Sequence, residues 1–253
     1  HTRYMYMYMH MCMCMHMYMY MYMYWIHVPH VPRTSPAQVA ITNVDFAQQL
    51  GGRADAARYA ATGGALFVAS GRISYVLGLQ GPSVAVDTAC SSSVVALDMA
   101  ARAVRAAECP AALAAASSLM LSPITHLLYA RAGMLSIDGR CKTWDARANG
   151  YVRGEGVGGC VLQPCIGNGA GGGDEHGARR QPRLAASAVW QDGRSASLTA
   201  PNGSSQSAMV RSAVRRAGVL ASLQMAEAHG TGTPLGDPTE SDALAAALAE
   251  LGG

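Results

Sequence analysis

Apolar and polar positions alternate along this chain in two different rhythms, and the change between them falls near Ala37. Beyond that point the stretch "RYAATGGALFVASGRISYVLGL" reads as helical and alanine-rich. The turn signal "QGP" then leads into a short β-run, "SVAVDTA". After Cys90, the residues Val94, Val95, Leu97, Met99, Ala101 and Val104 recur at three- and four-residue spacings. That spacing predicts one buried face of a helix running to about Ala107 and ended by Pro110. "AALAAASSLMLSP" reads as a strand with small residues where backbones approach closely, although its alanines leave a helix open. "GYVRGEGVGGCVLQP" and "RLAASAVWQDG" read as two more strands on either side of a Gly-rich connector, residues 166–180, the expected domain boundary. "SSQSAMVRSAVRRAGV" is a capped amphipathic helix with a glycine stop, and "LQMAEAHGTGTPLGDP" a strand feeding a Gly- and Thr-rich loop. The pattern predicts an α/β protein of two sheet-and-helix halves.

The first rhythm is of another kind. From Met5 to Met23 every odd position is Met, and only Tyr, His and Cys stand between; ten of the fifteen methionines lie here. Period two would fit a strand, but neither face is assigned to solvent. His10, Cys12, Cys14 and His16 among thioethers would suit Cu(I). The simpler reading is genetic: Met is ATG, and Tyr, His and Cys codons are TAY, CAY and TGY, so the segment is one alternating purine-pyrimidine repeat. Residues 1–36 are therefore expected to be translated simple repeat plus a Pro-containing join, disordered and outside the fold. The remaining divisions are expected at 37–165, 166–180 and 181–253.

Composition narrows the function classes. The chain has 253 residues, half of them apolar and 14% charged, enough for a sizeable core. A net charge of +3, spread along the chain, gives no basic stripe for nucleic acid. No apolar run of eighteen residues suggests a membrane span, and no leader core is seen, so a cytoplasmic location is expected. Seven cysteines at irregular spacings suit free thiols better than a disulfide framework.

Among those cysteines Cys90 stands out. A strand that ends in a sharp turn and hands directly to a helix places the turn residue at the helix N-terminus, where unpaired N–H groups and the dipole favour a thiolate. The same N–H groups suit the oxyanion formed when a thiolate attacks a thioester. Asp87 and Ser91 to Ser93 are expected to supply caps and small side chains. On the turn alone, a buried structural thiol remains the other reading. Cys109, Cys141, Cys160 and Cys165 are read as structural.

"VDTACSSS" is followed in order by "RAGMLSIDGRCKTWDARANGYVRGEGVGGCVL", "SAVWQDGRSASLTAPNGSSQ" and "AEAHGTGTPLGDPTESDAL". Together these resemble the β-ketoacyl synthase domain of modular type I polyketide synthases, a thiolase-fold family, from about Ala40 to Leu244. The resemblance implies a layered α-β-α-β-α fold with its N-terminal half mostly present and its C-terminal half incomplete. It implies Cys90 as the nucleophile that receives an acyl chain, and His229 as a catalytic histidine in decarboxylating a malonyl-type unit. It also implies Thr231 and Thr233 as hydroxyls for the pantetheine arm. No bound cofactor and no metal are expected; the phosphopantetheine arm of an acyl carrier protein is the tethered substrate, and a homodimer the expected assembly. By themselves, a His in such a loop and two threonines beside glycines could equally be hydrogen-bonded loop residues and turn formers. Asp237 and Pro238 are expected to shape the loop. Lys142, Asp145, Arg153 and Glu155 belong to a motif that implies ion pairs bracing the active-site floor.

Three departures from the pattern stand out. The repeat occupies the place of the usual first strand. Ala116-Ser117-Ser118-Leu119 stands where Gly-Gly-Val-Asn is usual, and Trp190 where Asn is usual. The chain stops before the segments that bring the second histidine and the Gly-Phe-Gly-Gly turn, so a fragment impaired in condensation is expected. A fatty acid synthase ketosynthase and a non-catalytic remnant acting in partner contacts are the alternatives.

Overall fold

The computed structural model describes residues 31–42, 45–50, 57–165 and 182–252. The Met/Tyr repeat with its candidate copper ligands, and the connector 166–180, lie outside the described residues. The chain divides into two units. One holds the described residues up to Pro164 together with Thr231–Thr233; the other holds Cys165–Gly230 and Pro234–Gly253.

The first unit is built on a four-stranded sheet: β1 (Ala37–Ile41), β2 (Ser83–Val86), β3 (Ala112–Ser118) and β4 (Gly156–Leu162), in the order β2-β1-β3-β4. β1 runs parallel to β2 and β3, and β4 is antiparallel to β3. Helices α1 (Asp45–Leu50), α2 (Ala57–Gly64) and α3 (Leu66–Leu77) carry the chain from β1 to β2. Helix α4 (Ser92–Arg105) returns it to β3, and α5 (Pro123–Arg131) lies between β3 and β4. β1 has no counterpart in the sequence reading; five residues are too few for periodicity to separate a buried strand from its surroundings. The chain is already packed before it, with Ser35 and Pro36 fully buried.

Packing explains which face of α4 is buried. Its deepest residues are Ala96 and Ala100, which meet Ala40 and Val86 of the sheet on one side and Ala112 and Ala114 on the other. Val95, Leu97, Met99 and Val104 flank them, partly buried. Alanine facing alanine lets the helix sit close to the strands, and the larger side chains close the rim. The helix ends at Arg105, two residues before Ala107, whose φ of +56° leaves the helical region.

The second unit contains α6 (Gly203–Ala217), a short 3₁₀ turn at Leu220–Ser222 and α7 (Gly236–Gly252). α6 starts at Asn202, whose side chain accepts from the Ser205 N–H at 3.2 Å, and stops at Gly218 with φ +64°. Val210, Val214 and Ala247 join the two helices, with Leu220, Leu244 and Leu251 around them. Two sequence expectations fail here. Residues 183–193 and 223–229 form no strand; a strand exists through its hydrogen-bonded neighbour, and among the described residues this unit has no strand to pair with.

No helix of the described residues is long and apolar enough to cross a membrane.

Candidate active site

Cys90 lies on the turn between β2 and α4, and a net of short-range hydrogen bonds sets that turn. The Asp87 carboxylate accepts from the Ala89 N–H at 3.0 Å. The Ser92 hydroxyl accepts from the Thr88 N–H at 2.8 Å and donates to the Ala89 carbonyl at 2.6 Å. Ser91 donates its hydroxyl to the Thr88 carbonyl at 2.9 Å. Ala89 is thereby held at φ +55°, a left-handed conformation that costs a residue with a Cβ about 1 kcal/mol or more and persists only where its surroundings impose it. The expected capping is revised: Ser91 occupies the cap position but its side chain bonds no helix N–H, because it is turned back to Thr88. Cys90 follows the strained residue, exposed, at the start of α4.

Beneath it lies a group that the sequence reading did not assemble. Tyr151 is 8% exposed; burial first, and then Tyr129 and Cys90, push its phenol up, while the Arg153 guanidinium pulls the other way. Arg153, itself buried, lies 5.5 Å from the centre of the Tyr129 ring. Tyr129 and Tyr151 stand 22 positions apart in the sequence, and the bridge of Tyr151 to Leu135, just after α5, brings that stretch of chain back toward Tyr129.

Arg153 also lines an open groove of about 390 Å³ with Met120, Leu121, Pro123, His126 and Leu127. Two carboxylates pin its edge. Glu155 accepts from the Met120 N–H at 2.7 Å. Asp45, 2% exposed, accepts from the Leu121 and Ser122 N–H groups at 3.1 Å and from the Thr125 hydroxyl at 2.6 Å.

The ion pairs expected of the Lys142 motif are redistributed. Lys142 bonds Asp138 at 2.8 Å, Asp145 bonds Arg147 at 2.7 Å, Glu155 serves backbone, and Arg153 stacks on an aromatic ring. Among the described residues Cys90, Cys109, Cys160 and Cys165 carry thiols. Burial raises the thiols of Cys109 and Cys160, which disfavours their thiolates.

Thr231 and Thr233 belong to the same unit as Cys90; their hydroxyl oxygens are 3.2 Å apart. His229 belongs to the second unit. Its N–H donates to Glu240 Oε1 at 2.6 Å and that of Gly230 to Oε2 at 2.9 Å, so one carboxylate from the first turns of α7 shapes the backbone that carries the histidine. Glu240 has no part in the expectations from the sequence, which place a loop up to Pro238 and no helix after it. Asp237 and Pro238, expected in the loop, lie in the first turn of α7, where proline's fixed φ and missing N–H are tolerated. Glu240→Ala is expected to speed hydrogen exchange of the His229 and Gly230 amides by about tenfold or more; unchanged rates would contradict this role. Among the described residues no group of three His, Cys, Asp or Glu could hold a metal ion.

Residues 38–165 match the family model for the beta-ketoacyl synthase N-terminal domain, and residues 183–252 match that for its C-terminal domain. The chain belongs to the beta-ketoacyl synthase family. Its relatives include a phenolphthiocerol/phthiocerol polyketide synthase protein of Mycobacterium tuberculosis, 42% identical over 223 residues. That match covers 85% of this chain and 10% of that protein. A spectinabilin polyketide synthase system protein of Streptomyces orinoci is 47% identical over 193 residues, 76% of this chain and 5% of that one. The ketosynthase from module 6 of the Bacillus subtilis bacillaene synthase superposes with a TM-score of 0.73 at 34% identity. The superposition covers 86% of this chain and 36% of that one. An oxazolomycin ketosynthase domain of Streptomyces albus gives 0.71 at 33% identity, over 85% and 37% of the two chains. The chain thus spans a tenth or less of these curated relatives and just over a third of the solved ketosynthases. The fold class is the thiolase-like α/β fold of those neighbours.

Proposed function

We propose that this chain is a ketosynthase of polyketide assembly in which Cys90 accepts an acyl chain from a phosphopantetheine thioester. The observation that carries the reading is the exposed thiol of Cys90, set after the strained Ala89 at the N-terminus of α4. The thiolate attacks the thioester carbonyl carbon and a new C–S bond forms. The tetrahedral oxyanion faces the helix N-terminus; as it collapses, the C–S bond to pantetheine breaks and the departing thiolate takes up a proton. Storing the chain covalently splits one bimolecular condensation into two easier transfers.

In the second half-reaction a malonyl-type unit on an acyl carrier protein loses carbon dioxide. The electron pair left on its carbon attacks the Cys90-bound carbonyl, forming the C–C bond and releasing the Cys90 thiolate. The imidazole N–H of His229 stabilises the enolate oxygen, and Thr231 and Thr233 offer hydroxyls to the amides of the pantetheine arm. No cofactor or metal is required beyond that tethered arm. A homodimer is the assembly that goes with this reading. It is supported by apolar side chains that α3 and α5 leave exposed, among them Phe67, Tyr75, Ile124 and Leu128. The polyketide synthase relatives favour this substrate class over fatty acid synthesis.

The test is to incubate the purified chain with an acyl thioester and a malonyl-loaded carrier protein, then to analyse protein and small-molecule products by mass spectrometry. The expected result is an acyl adduct on Cys90; a product longer by one ketide unit would establish the condensation step as well. An adduct without product would remove the condensation step from the proposal; no adduct would remove the whole of it.

A further inference from the structure

The loop between Ser136 and Gly150 is closed at its base by the Ser136 N–H on the Tyr151 carbonyl at 2.9 Å and by the Tyr151 N–H on the Met134 carbonyl at 3.1 Å. Inside it, three side chains converge on Asp138. Its carboxylate accepts from Lys142 at 2.8 Å, from the Ser136 hydroxyl at 2.6 Å and from the Asn149 amide at 3.2 Å. The Asn149 carbonyl oxygen in turn accepts from Lys142 at 2.9 Å. Lys142, with its side chain 15% exposed, therefore ties the beginning of the loop to its end. The ammonium, helped by the hydroxyl and the amide, holds the Asp138 carboxyl below the usual carboxylate range, so the tie stays ionised well into acid.

Gly232 sits on the two ends of that tie. Its carbonyl accepts from the Gly150 N–H at 2.9 Å, and its φ is +75°. A Cβ built there would stand 2.8 Å from the Lys142 backbone nitrogen and 3.3 Å from the Gly150 carbonyl oxygen. Only glycine fits this seat, on grounds of both space and conformation. Lys142 and Gly150 are the contact points, and the Lys142–Asn149 bond fixes the distance between them. Thr231 and Thr233 flank the seated residue.

The geometry points to Lys142 and Asp138 as positioning residues that, with Asn149, fix the seat of Gly232 and so set where the Thr231 and Thr233 hydroxyls meet a pantetheine arm. This rests on the proposed role of the two threonines. Asp138 is half-exposed, and such pairs contribute little to stability, so the effect is one of placement.

The test compares the wild-type chain with Lys142→Met, Lys142→Arg and Gly232→Ala, each first checked for folding by circular dichroism. Loading of Cys90 is measured with two donors: an acyl-pantetheine thioester, and a thiophenyl ester of the same acyl group that lacks the pantetheine amides. Lys142→Met and Gly232→Ala are expected to raise KM for the pantetheine donor by about tenfold, roughly one lost hydrogen bond. Loading from the thiophenyl ester stays unchanged, and Lys142→Arg recovers most of the loss. Equal losses with both donors, or no change with either, would overturn the proposal. A second readout does not need loading: the ¹³C methyl resonances of Thr231 and Thr233 should shift in Lys142→Met and return toward wild type in Lys142→Arg. If the wild-type chain loads from neither donor, the functional reading fails while these resonances still decide the positioning; threonine methyls unmoved by Lys142→Met would refute it.

Discussion

Cys90→Ala is expected to leave a folded chain that holds no acyl group, with loading reduced on the order of 10³-fold or more. The magnitude follows from the arrangement of thiols. Cys109 is buried in the cluster between α4 and β3, and the exposed Cys160 and Cys165 lie within and just after β4, where no helix N-terminus favours a thiolate. Cys90 is exposed and removes no packing when truncated, so the thermal midpoint should stay within about 2 °C of wild type. Cys90→Ser separates chemistry from shape: it keeps the side-chain volume, but an alkoxide is far harder to form than a thiolate, so it too should load poorly. Intact-mass spectrometry of the three proteins after incubation with an acyl thioester reads the result directly. Loading of the alanine variant at the wild-type rate would place the acyl group elsewhere.

Asp45→Ala is expected to produce the largest loss of stability, about 3 kcal/mol or more. This carboxylate is 2% exposed and accepts from two backbone N–H groups and one hydroxyl, all 76 to 80 residues away in the sequence. Removing it leaves the buried Ser122 and Thr125 donors and the part-buried Leu121 N–H without their acceptor, at roughly 1–3 kcal/mol for each buried group before relaxation or water entry. Asp45→Asn keeps one carbonyl acceptor and should lose about half as much. Because Asp45 pins the Leu121–Thr125 edge of the groove beside Arg153, the loss should appear first as faster hydrogen exchange at Leu121 and Ser122. Urea denaturation of the three proteins gives the energies; a change below about 1 kcal/mol for the alanine variant would show that water satisfies these groups equally well.

What the sequence disclosed and what it withheld divide along a physical line. The helix after Cys90, the strand before it and the glycine stop of α6 rest on neighbours within one or two turns, and local pattern found them. The four long stretches in register carried the family. By contrast, Asp45 and Glu155 act on backbone 35 or more positions away, and Tyr129 meets Tyr151 and Arg153 across the loop that the Leu135–Tyr151 bridge closes. No periodicity records such meetings. Glu240 lies ten or eleven residues from the amides it holds, on a helix whose start the local pattern did not mark. The two strands expected around 183–193 and 223–229 failed for the converse reason. Their apolar pattern suits a strand, but a strand needs an adjacent one, and pattern alone says nothing of the neighbour.

The proposed function stands or falls on Cys90 as the residue that takes up an acyl chain. The most direct measurement is peptide mapping by tandem mass spectrometry after incubating the intact chain with an acyl-pantetheine thioester. One acylated peptide is expected, carrying the added mass on Cys90 and losing it on treatment with hydroxylamine. Added mass distributed over Cys160 and Cys165, or none on Cys90, would contradict it.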